Sequence, residues 1–533
     1  MDRQGCRSLR RGTPNQWRAF CWCVVAFSLL RGTHYRRVVS PLYLLLPWVL
    51  SALPLFPSEF PDLAAARRLL RQIENSPSLE ENLRVLCDEV GGRMVGTPNM
   101  SRAVEWAAGA FRAAGVDEVR TETFTMPSSW REGATEIEVT APLPFSVNGA
   151  SSAWSPATPA EGIEAQVLDG GSGSEGRIRR MGKKARGKIL LIRSEEVQTF
   201  QDLGDEQRDA TIASREAAEV GAAALLFTST RPNGLLYRHI NAINGELDPL
   251  PSALIRREDG LRILRLLQAG KEVRMRLSMP NETGGPFQAR NVVAEIRGRE
   301  KPDEFVILGG HLDSWDLGTG CLDNGCNIAL AIEVARAIAA AKLRPRRSIR
   351  FILFNGEEQG LFGSRGYVQA HRRELGSIVA VMIHDMGVGK IKGYSLSGRH
   401  DLKQGLVEAM KPVEDRGAND HTTDAFFGTD HFDFMLEGVP ALVALQDTSD
   451  YVSVYHSSAD TFDKVSVRDL KDRTSVAAVT VYNIADRPQR IGERFTRKEV
   501  ERLLEDTRLD DQLKFLGLWD EWKSGQRGRE KKK

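Results

Sequence analysis

The sequence predicts an α/β fold, in which helices flank a mostly parallel central sheet and a second domain is inserted into the chain. Apolar runs at 305–310, 349–354 and 378–383 predict the sheet, because short continuous runs of this kind are typical of strands buried on both faces. Helical stretches alternate with the runs, as they do where crossover helices join parallel strands. Ligands bind beyond the carboxyl ends of such strands. The polar residues that follow the three runs are therefore expected on one rim of the sheet.

Further elements are predicted along the chain. Residues 63–114 indicate helices on either side of a glycine and proline loop at 91–98. Additional strands are predicted at 187–192, 222–227, 290–296 and 440–445, and additional helices near 213–221, 327–338 and 498–504. The strand at 290–296 marks the point where the central sheet resumes after a change in composition.

Composition divides the chain into four parts. A leader is predicted at 1–56. The larger domain is predicted to be discontinuous, at 57–155 and 279–490, with a module inserted into it at 156–278, where a glycine and serine stretch precedes two buried strands. Residues 491–533 are predicted to form a C-terminal helix and a basic tail. The end of this tail, 527–533, is expected to be solvated and disordered.

The leader and the charge balance bear on location and partners. The first 52 residues contain eight arginines and one aspartate, and the rest carries 65 basic and 70 acidic residues, a net charge of −5, so nucleic acid is not an expected partner. Apolar stretches at 19–30 and 41–55 are each shorter than the roughly 20 residues of a membrane-spanning helix. An export signal fits better, which predicts a secreted or periplasmic protein without stable membrane insertion. An uncleaved leader that anchors the protein to a membrane is the alternative.

Histidine and acidic side chains occur where the predicted strands end. These residues are His311, Asp323, Glu357, Glu358, Asp385 and His456. Imidazole nitrogen and carboxylate oxygen suit zinc, and six such groups suffice for two ions and a base. Glu357 and Glu358 are neighbours whose side chains leave the chain in different directions, so one can bind a metal while the other takes a proton from water. Asp313 is close enough to His311 for its carboxylate to fix the tautomer of the ring.

Each of these features also has an ordinary explanation when it is taken alone. An aspartate two residues after a histidine can cap a loop, and a pair of glutamates is often a solvated helix start. Their joint occurrence at strand ends favours a metal centre. Outside the leader the cysteines are Cys87, Cys321 and Cys326, too few for a disulfide framework, and buried thiols or one local bridge are expected.

Four motifs resemble a known family. They are GGHLDSWD at 309–316, LDNG at 322–325, GEEQG at 356–360 and YHSSADT at 455–461. In this order and spacing they resemble the carboxypeptidase Q-like branch of the co-catalytic zinc exopeptidases, the family that also holds glutamate carboxypeptidase II and bacterial leucyl aminopeptidases. The resemblance spans about 83–487 and implies a zinc exopeptidase fold with an inserted protease-associated domain.

The resemblance also implies a ligand set and a reaction. It assigns one zinc ion to His311, Asp323 and Asp385, and a second to Asp323, Glu358 and His456. Glu357 matches the general base that acts on a zinc-activated water, and Tyr455 matches a tyrosine that stabilises the oxyanion in some relatives. Short peptides or dipeptides are the implied substrates, with two zinc ions in each chain and a possible homodimer. Two other functions remain open: a glutaminyl cyclase-type zinc acyltransferase, and a non-catalytic peptidase-like receptor or binding module.

Three neighbours of the motifs complete the expectations. Asn324 departs from the second acid that the branch tends to have after the bridging aspartate, and this puts no ligand in doubt. His384 is expected to point away from the metals because side chains alternate along a strand. His431 lies in a loop that resembles one packing near the site, with a structural role or a hydrogen bond to substrate as alternatives.

Overall fold

The computed structural model describes residues 61–239, 244–387, 389–448 and 451–530. The predicted leader at 1–56 and the last three residues of the predicted tail lie outside these ranges. The export signal therefore stays a prediction. Within the described ranges, no helix combines the length and the apolar character that a membrane span requires.

The described residues form seventeen strands and fourteen α-helices. In chain order the strands are β1 (Glu118–Met126), β2 (Ser129–Arg131), β3 (Glu136–Ala141), β4 (Phe145–Val147), β5 (Gly149–Ser151), β6 (Ile163–Gly171), β7 (Ile189–Ile192), β8 (Ala224–Thr228), β9 (Ser252–Ile255), β10 (Arg274–Ser278), β11 (Glu282–Gly284), β12 (Phe287–Ile296), β13 (Lys301–His311), β14 (Arg347–Phe354), β15 (Ile378–Ile383), β16 (Ile391–Ser395) and β17 (Ala441–Gln446). The α-helices are α1 (Leu63–Glu74), α2 (Ser78–Arg84), α3 (Pro98–Ala114), α4 (Arg177–Met181), α5 (Phe200–Val220), α6 (Arg257–Gln268), α7 (Cys326–Ala340), α8 (Phe362–Ala370), α9 (Lys403–Met410), α10 (His431–Leu436), α11 (Val467–Asp486), α12 (Arg497–Asp506), α13 (Leu509–Phe515) and α14 (Trp519–Ser524). The helices predicted within 63–114 and the strands predicted at the apolar runs are confirmed.

The strands of the first sheet lie in the order β1-β12-β14-β13-β15-β17-β16, and all of them except β1 and β16 were predicted from the sequence. Its four central strands, β14, β13, β15 and β17, are parallel, as predicted. The sheet as a whole is mixed, however, because β1, β12 and β16 pair antiparallel with their neighbours. The expectation of a mostly parallel sheet therefore holds only for the centre. A physical reason is visible at β12 and β13, since the four residues that join them are too few for a crossover between parallel strands.

Helices cover both faces of the first sheet. On one face α3, α7 and α11 pack against alternate residues of the strands, and on the other face α8 and α10 pack against the intervening residues. The apolar stripe predicted on α7 is buried, and so is nearly every other side chain of that helix. Helix α3 shows how the sequence sets such elements, since the Thr97 hydroxyl accepts from the backbone N–H of Met100 and Gly115 ends the helix with a φ of +80°.

A second sheet is built from residues 136–278, in the order β4-β3-β10-β6-β7-β8-β9-β5. The strands predicted at 187–192 and 222–227 are β7 and β8, which are parallel neighbours at its centre. Its apolar core lies apart from that of the first sheet. Strands β3, β4 and β5 precede residue 156, the point at which the sequence predicted the insertion to begin.

The C-terminal segment packs onto α10 rather than extending into solvent. Helices α12, α13 and α14 bury apolar side chains against Phe432 and Met435. Arg527 is 3% exposed, and its guanidinium donates to both carboxylate oxygens of Asp433 at 2.8 Å. The prediction of a solvated tail from residue 527 is therefore wrong for Arg527, because a bidentate ion pair holds this charged residue in the interior.

Candidate metal centre

Three parallel strands bring four of the predicted side chains to one rim. His311 is the last residue of β13, and Asp385 comes two residues after the end of β15. Glu357 and Glu358 follow the end of β14 by three and four residues. Because β14, β13 and β15 are adjacent and parallel, their carboxyl ends meet at the same edge.

Asp323 reaches this rim from the turn Cys321–Gly325, which joins β13 to α7. The carboxylate of Asp460 holds the turn by accepting the backbone N–H groups of Cys321 at 2.8 Å, Leu322 at 2.6 Å and Asp323 at 3.2 Å. Burial raises the pKa of Asp460 to about 6. The buried hydroxyl of Tyr451 donates to Oδ2 of Asp323 at 2.7 Å. Asp323 is thus positioned through both its backbone and its side chain.

His456 comes from the loop that follows β17. Its φ is +58°, a conformation that residues with side chains rarely adopt. Its ring is buried, with Nε2 directed at Asp323 and Glu358. His456 and Asp323 complete the set that the sequence predicted.

The ligand atoms form two groups that share one aspartate. His311 Nε2 lies 3.0 Å from Oδ1 of Asp323 and 3.0 Å from Oδ1 of Asp385. His456 Nε2 lies 3.2 Å from Oδ2 of Asp323 and 3.0 Å from Oε2 of Glu358. The ligand atoms of each group lie within 4.8 Å of one another. Zinc held tetrahedrally by bonds of about 2.0–2.1 Å would have ligand atoms about 3.3 Å apart, so both groups could hold it.

The charge of the site also fits a pair of divalent cations. Burial raises the pKa of Glu358 well above its usual range, and the nearby Asp323 carboxylate adds to this effect. Burial alone would lower the pKa of His311, but the charges of Asp385 and Glu357 outweigh it and raise that pKa. Oε1 of Glu358 is buried without a hydrogen-bond partner among the described residues. Clustered buried acids of this kind are stable when a cation compensates them.

Asp313 contacts the site differently from the prediction. Nδ1 of His311 lies 3.0 Å from the backbone oxygen of Asp313 and 3.8 Å from its carboxylate, so the carbonyl is the group that fixes the tautomer. The carboxylate instead accepts the backbone N–H groups of Glu357 and Glu358 at 3.3 Å each. Asp313 thereby links the ends of β13 and β14.

Glu357 and Tyr455 lie beside the two groups without belonging to them. Glu357 is half-buried, and burial raises its pKa well above the usual value, helped by the charges of Asp385 and Glu358. The Tyr455 ring stacks on the His456 ring, with centroids 3.6 Å apart. Burial raises the pKa of the Tyr455 hydroxyl, as do nearby carboxylates, so this group stays protonated and can donate.

The structure adds residues for which the sequence predicted no role. Tyr451 and Asp460 both hydrogen-bond to Asp323 or its backbone. Asp460 lies within the motif at 455–461, so its place in that motif was the sequence signal that could have identified it. Glu206 lies on α5 and His239 lies in the loop between β8 and β9, in a region where no site residue was predicted. Nδ1 of His239 lies 3.0 Å from Nδ1 of His456, and Nε2 of His239 lies 3.2 Å from Oε2 of Glu206.

The structure also places the remaining neighbours of the motifs. The His384 ring packs edge-on against Tyr394, away from the ligand atoms, as predicted. His431 begins α10, where its buried ring lies 5.0 Å from the Phe426 ring, centroid to centroid. Cys87, Cys321 and Cys326 are buried free thiols, in line with the expectation, and the sulfur atoms of Cys87 and Cys321 lie 2.6 Å apart.

Comparisons with known proteins show the family to which the chain is similar. The profile described as Peptidase family M28 matches residues 291–481. Carboxypeptidase Q of Xenopus laevis is 30% identical over 411 residues, which are 76% of this chain and 85% of that protein. Carboxypeptidase Q of Homo sapiens is 29% identical over 408 residues, with the same coverage of both chains.

Solved structures agree as well. The Peptidase M28 precursor from Shewanella amazonensis SB2B superposes with a TM-score of 0.74 at 28% identity, over 81% of this chain and 99% of that chain. A zinc aminopeptidase from Bacillus subtilis has a TM-score of 0.62 at 18% identity, over 79% of this chain and 97% of that chain, and shares the fold.

The fold, the ligand geometry and these similarities define a metallopeptidase. Its substrates are peptides, and zinc is the metal that the family implies. The chain belongs to peptidase family M28, as a carboxypeptidase Q-like exopeptidase.

Proposed function

We propose that this exopeptidase is exported and hydrolyses dipeptides or other short peptides at a site that holds two zinc ions. The observation that carries the proposal is the sharing of Asp323 between two ligand groups, one oxygen facing each histidine. His311, Asp323 and Asp385 would hold one ion, and Asp323, Glu358 and His456 the other. When bound, zinc supplies Lewis-acid chemistry, which polarises the scissile carbonyl and lowers the pKa of water.

The protein side chains supply the proton transfers. The carboxylate of Glu357 takes a proton from the attacking water and delivers it to the nitrogen of the leaving amine. The hydroxyl of Tyr455 donates a hydrogen bond to the oxygen that becomes negative as the carbonyl is attacked. Asp313 keeps Glu357 in place through the backbone N–H that it accepts.

Adjacent glutamates provide the test. Glu357→Gln should retain two zinc ions while kcat falls by about 10²–10⁴-fold, because only the proton acceptor is lost. Glu358→Gln is the matched control and should lower the zinc content, since this neighbour is proposed as a ligand. Zinc is counted by atomic emission on the purified full chain, and kcat is measured on a dipeptide. Full activity of zinc-loaded Glu357→Gln would remove Glu357 from this role.

The other two functions are less well supported by the side chains. A glutaminyl cyclase-type enzyme typically uses a single zinc, whereas two ligand groups are complete here. A decayed receptor would be expected to lack a ligand or the base. Two tightly bound zinc ions and the release of free amino acids would discriminate against both. Unblocked dipeptides, N-blocked peptides and C-amidated peptides would then identify the end of the substrate that the enzyme recognises.

The parts outside the site complete the proposal. The module predicted at 156–278 is proposed to be a protease-associated domain that shapes substrate access, with β3 to β5 as additional strands of its sheet. The larger domain at 57–155 and 279–490 is proposed to carry the catalysis. Export rests on the leader at 1–56, and homodimer formation stays a prediction from the resemblance.

A further inference from the structure

A segment of the second sheet's module runs along the loop that carries His456. Tyr237 and Ser457 form an antiparallel bridge. The backbone N–H of Arg238 donates to the backbone oxygen of His456 at 3.0 Å, and that of Ser458 donates to Leu236 at 2.9 Å. The backbone of His456 is therefore held by residues more than 200 positions earlier in the chain.

This support matters because of the conformation of His456. A φ of +58° is unfavourable for a residue with a side chain and persists where the surroundings over-determine it. The guanidinium of Arg231 adds a further bond, donating to the backbone oxygen of Tyr455 at 3.2 Å. Residues of the module thus hydrogen-bond to the backbone both before and after the φ angle of His456, at the carbonyl groups of Tyr455 and His456.

The side chains continue the connection. Nε2 of His456 faces Asp323 and Glu358, and its other ring nitrogen, Nδ1, faces Nδ1 of His239 at 3.0 Å. A neutral imidazole that binds a metal through Nε2 carries its hydrogen on Nδ1. His456 then donates and Nδ1 of His239 accepts, which leaves the hydrogen of His239 on Nε2.

Glu206 receives that hydrogen. Its Oε2 lies 3.2 Å from Nε2 of His239 and 2.8 Å from Nη1 of Arg231, and its Oε1 accepts from the Thr230 hydroxyl at 2.6 Å. Burial alone would raise the pKa of Glu206, but the charge of Arg231 and the hydrogen bond to His239 outweigh it and lower that pKa. A single assignment of protons therefore satisfies both hydrogen bonds in this chain: His456 donates from Nδ1 to Nδ1 of His239, and His239 donates from Nε2 to the carboxylate of Glu206.

We propose that His239, with Glu206 behind it, is a positioning residue that fixes the tautomer and the ring orientation of His456, so that the module of the second sheet completes the second zinc group. A carboxylate often orients a zinc-binding histidine directly, and here a second imidazole lies between the two. The inference rests on the proposed function, because it presumes that His456 binds zinc through Nε2. It adds that the module contributes to metal binding as well as to substrate access.

Two substitutions of His239 separate positioning from packing. His239→Leu removes the acceptor for Nδ1 of His456, whereas His239→Asn places an amide oxygen at about the position of the lost Nδ1. We expect the leucine variant to bind one of its two zinc ions about 10–100-fold more weakly and the other unchanged, as is typical when such an orienting partner is lost. The asparagine variant should stay within a few-fold of the wild type. His400→Leu, at an exposed histidine, is the control and should change neither affinity.

Zinc affinities are measured on the full chain by competition with a chromophoric chelator. A second measurement, independent of activity, is the visible absorption spectrum of the cobalt-substituted protein, in which the bands of one site should shift in His239→Leu and recover in His239→Asn. Should His239→Leu fail to fold, Glu206→Gln tests the same connection, since it removes the charge that receives the Nε2 hydrogen.

The outcomes distinguish the inference from the function on which it rests. A wild-type protein that binds fewer than two zinc ions would overturn both. Wild-type protein with two zinc ions, together with unchanged affinities and an unchanged cobalt spectrum in His239→Leu or Glu206→Gln, would overturn the inference and leave the proposed function standing.

Discussion

Asp460 connects the loop that carries His456 to the turn that carries Asp323, and Asp460→Asn tests whether that connection maintains the metal centre. The carboxylate accepts three backbone N–H groups, two at Oδ1 and one at Oδ2. An asparagine of the same shape has only one accepting oxygen. At least one N–H of the turn at Cys321–Gly325 is therefore left without its acceptor.

The magnitude follows from this count. A buried donor without a partner costs about 1–3 kcal/mol. In the absence of metal the turn can shift and recover the lost hydrogen bond. Zinc bound as proposed would require Asp323 to stay in place, so the free-energy cost is expected to fall on metal binding. The corresponding loss of affinity is about 5- to 150-fold. Because Asp323 belongs to both candidate ligand groups, the binding of both proposed zinc ions should be affected.

The assay is chelator competition on the full chain near neutral pH, where most of the Asp460 carboxylate is ionised. Asp463→Asn is the matched control in the same segment, because its exposed carboxylate bonds only to Thr461 and Lys464 among the described residues. It should leave both affinities unchanged. Zinc affinities of Asp460→Asn within twofold of the wild type would refute the reasoning, and a loss confined to one ion would show that the turn does not act through the shared Asp323.

Two further predictions concern stability. Arg527→Met should lower the free energy of unfolding by about 3–5 kcal/mol, because it leaves the buried Asp433 carboxylate unpaired. Lys523→Met, at an exposed ion pair of the same segment, is the control and should change the free energy of unfolding by less than about 1 kcal/mol. Equal effects of the two substitutions in denaturant titrations would contradict this prediction. His371→Gln should destabilise the protein more at about pH 5.5 than at about pH 9, because the hydrogen bond to Glu122 raises the pKa of His371, and this stabilisation is complete below the unfolded pKa and lost as pH rises through the folded one. If the difference in unfolding free energy between the wild type and His371→Gln is the same at both pH values, ionisation of His371 does not contribute to stability.

Local pattern was enough to predict the parallel centre of the first sheet and most of the candidate site. Each proposed ligand except Asp323 and His456 lies at the end of a buried strand or within four residues after it, and the parallel arrangement of those strands follows from their alternation with helices. Asp323 and His456 lie in loops, and the resemblance of their motifs to a known family supplied what periodicity could not. The antiparallel edges were missed because the direction of an edge strand depends on the length of its connection to the next strand. Strand boundaries that are predicted only to within a few residues do not define that length.

Charge along the chain was a weaker guide than apolar pattern. The basic composition from residue 527 onward predicted a solvated tail, since a run of like charges is usually exposed. Asp433, almost a hundred residues earlier, supplies the partner that makes burial of Arg527 favourable. The partner of a buried charge is a property of the fold, and composition does not contain it.

The sequence by itself determined the residue types of the candidate metal centre and the strands that carry most of them, because both depend on patterns a few residues long. Only the tertiary structure decided how these residues are supported: the carbonyl of Asp313 in place of its carboxylate, Tyr451 and Asp460 around Asp323, and His239 behind His456. These contacts join segments that lie far apart in the chain or depend on the path of the backbone. Hydrogen bonds of this kind act over about 3 Å, so they are defined only once packing has brought their partners together.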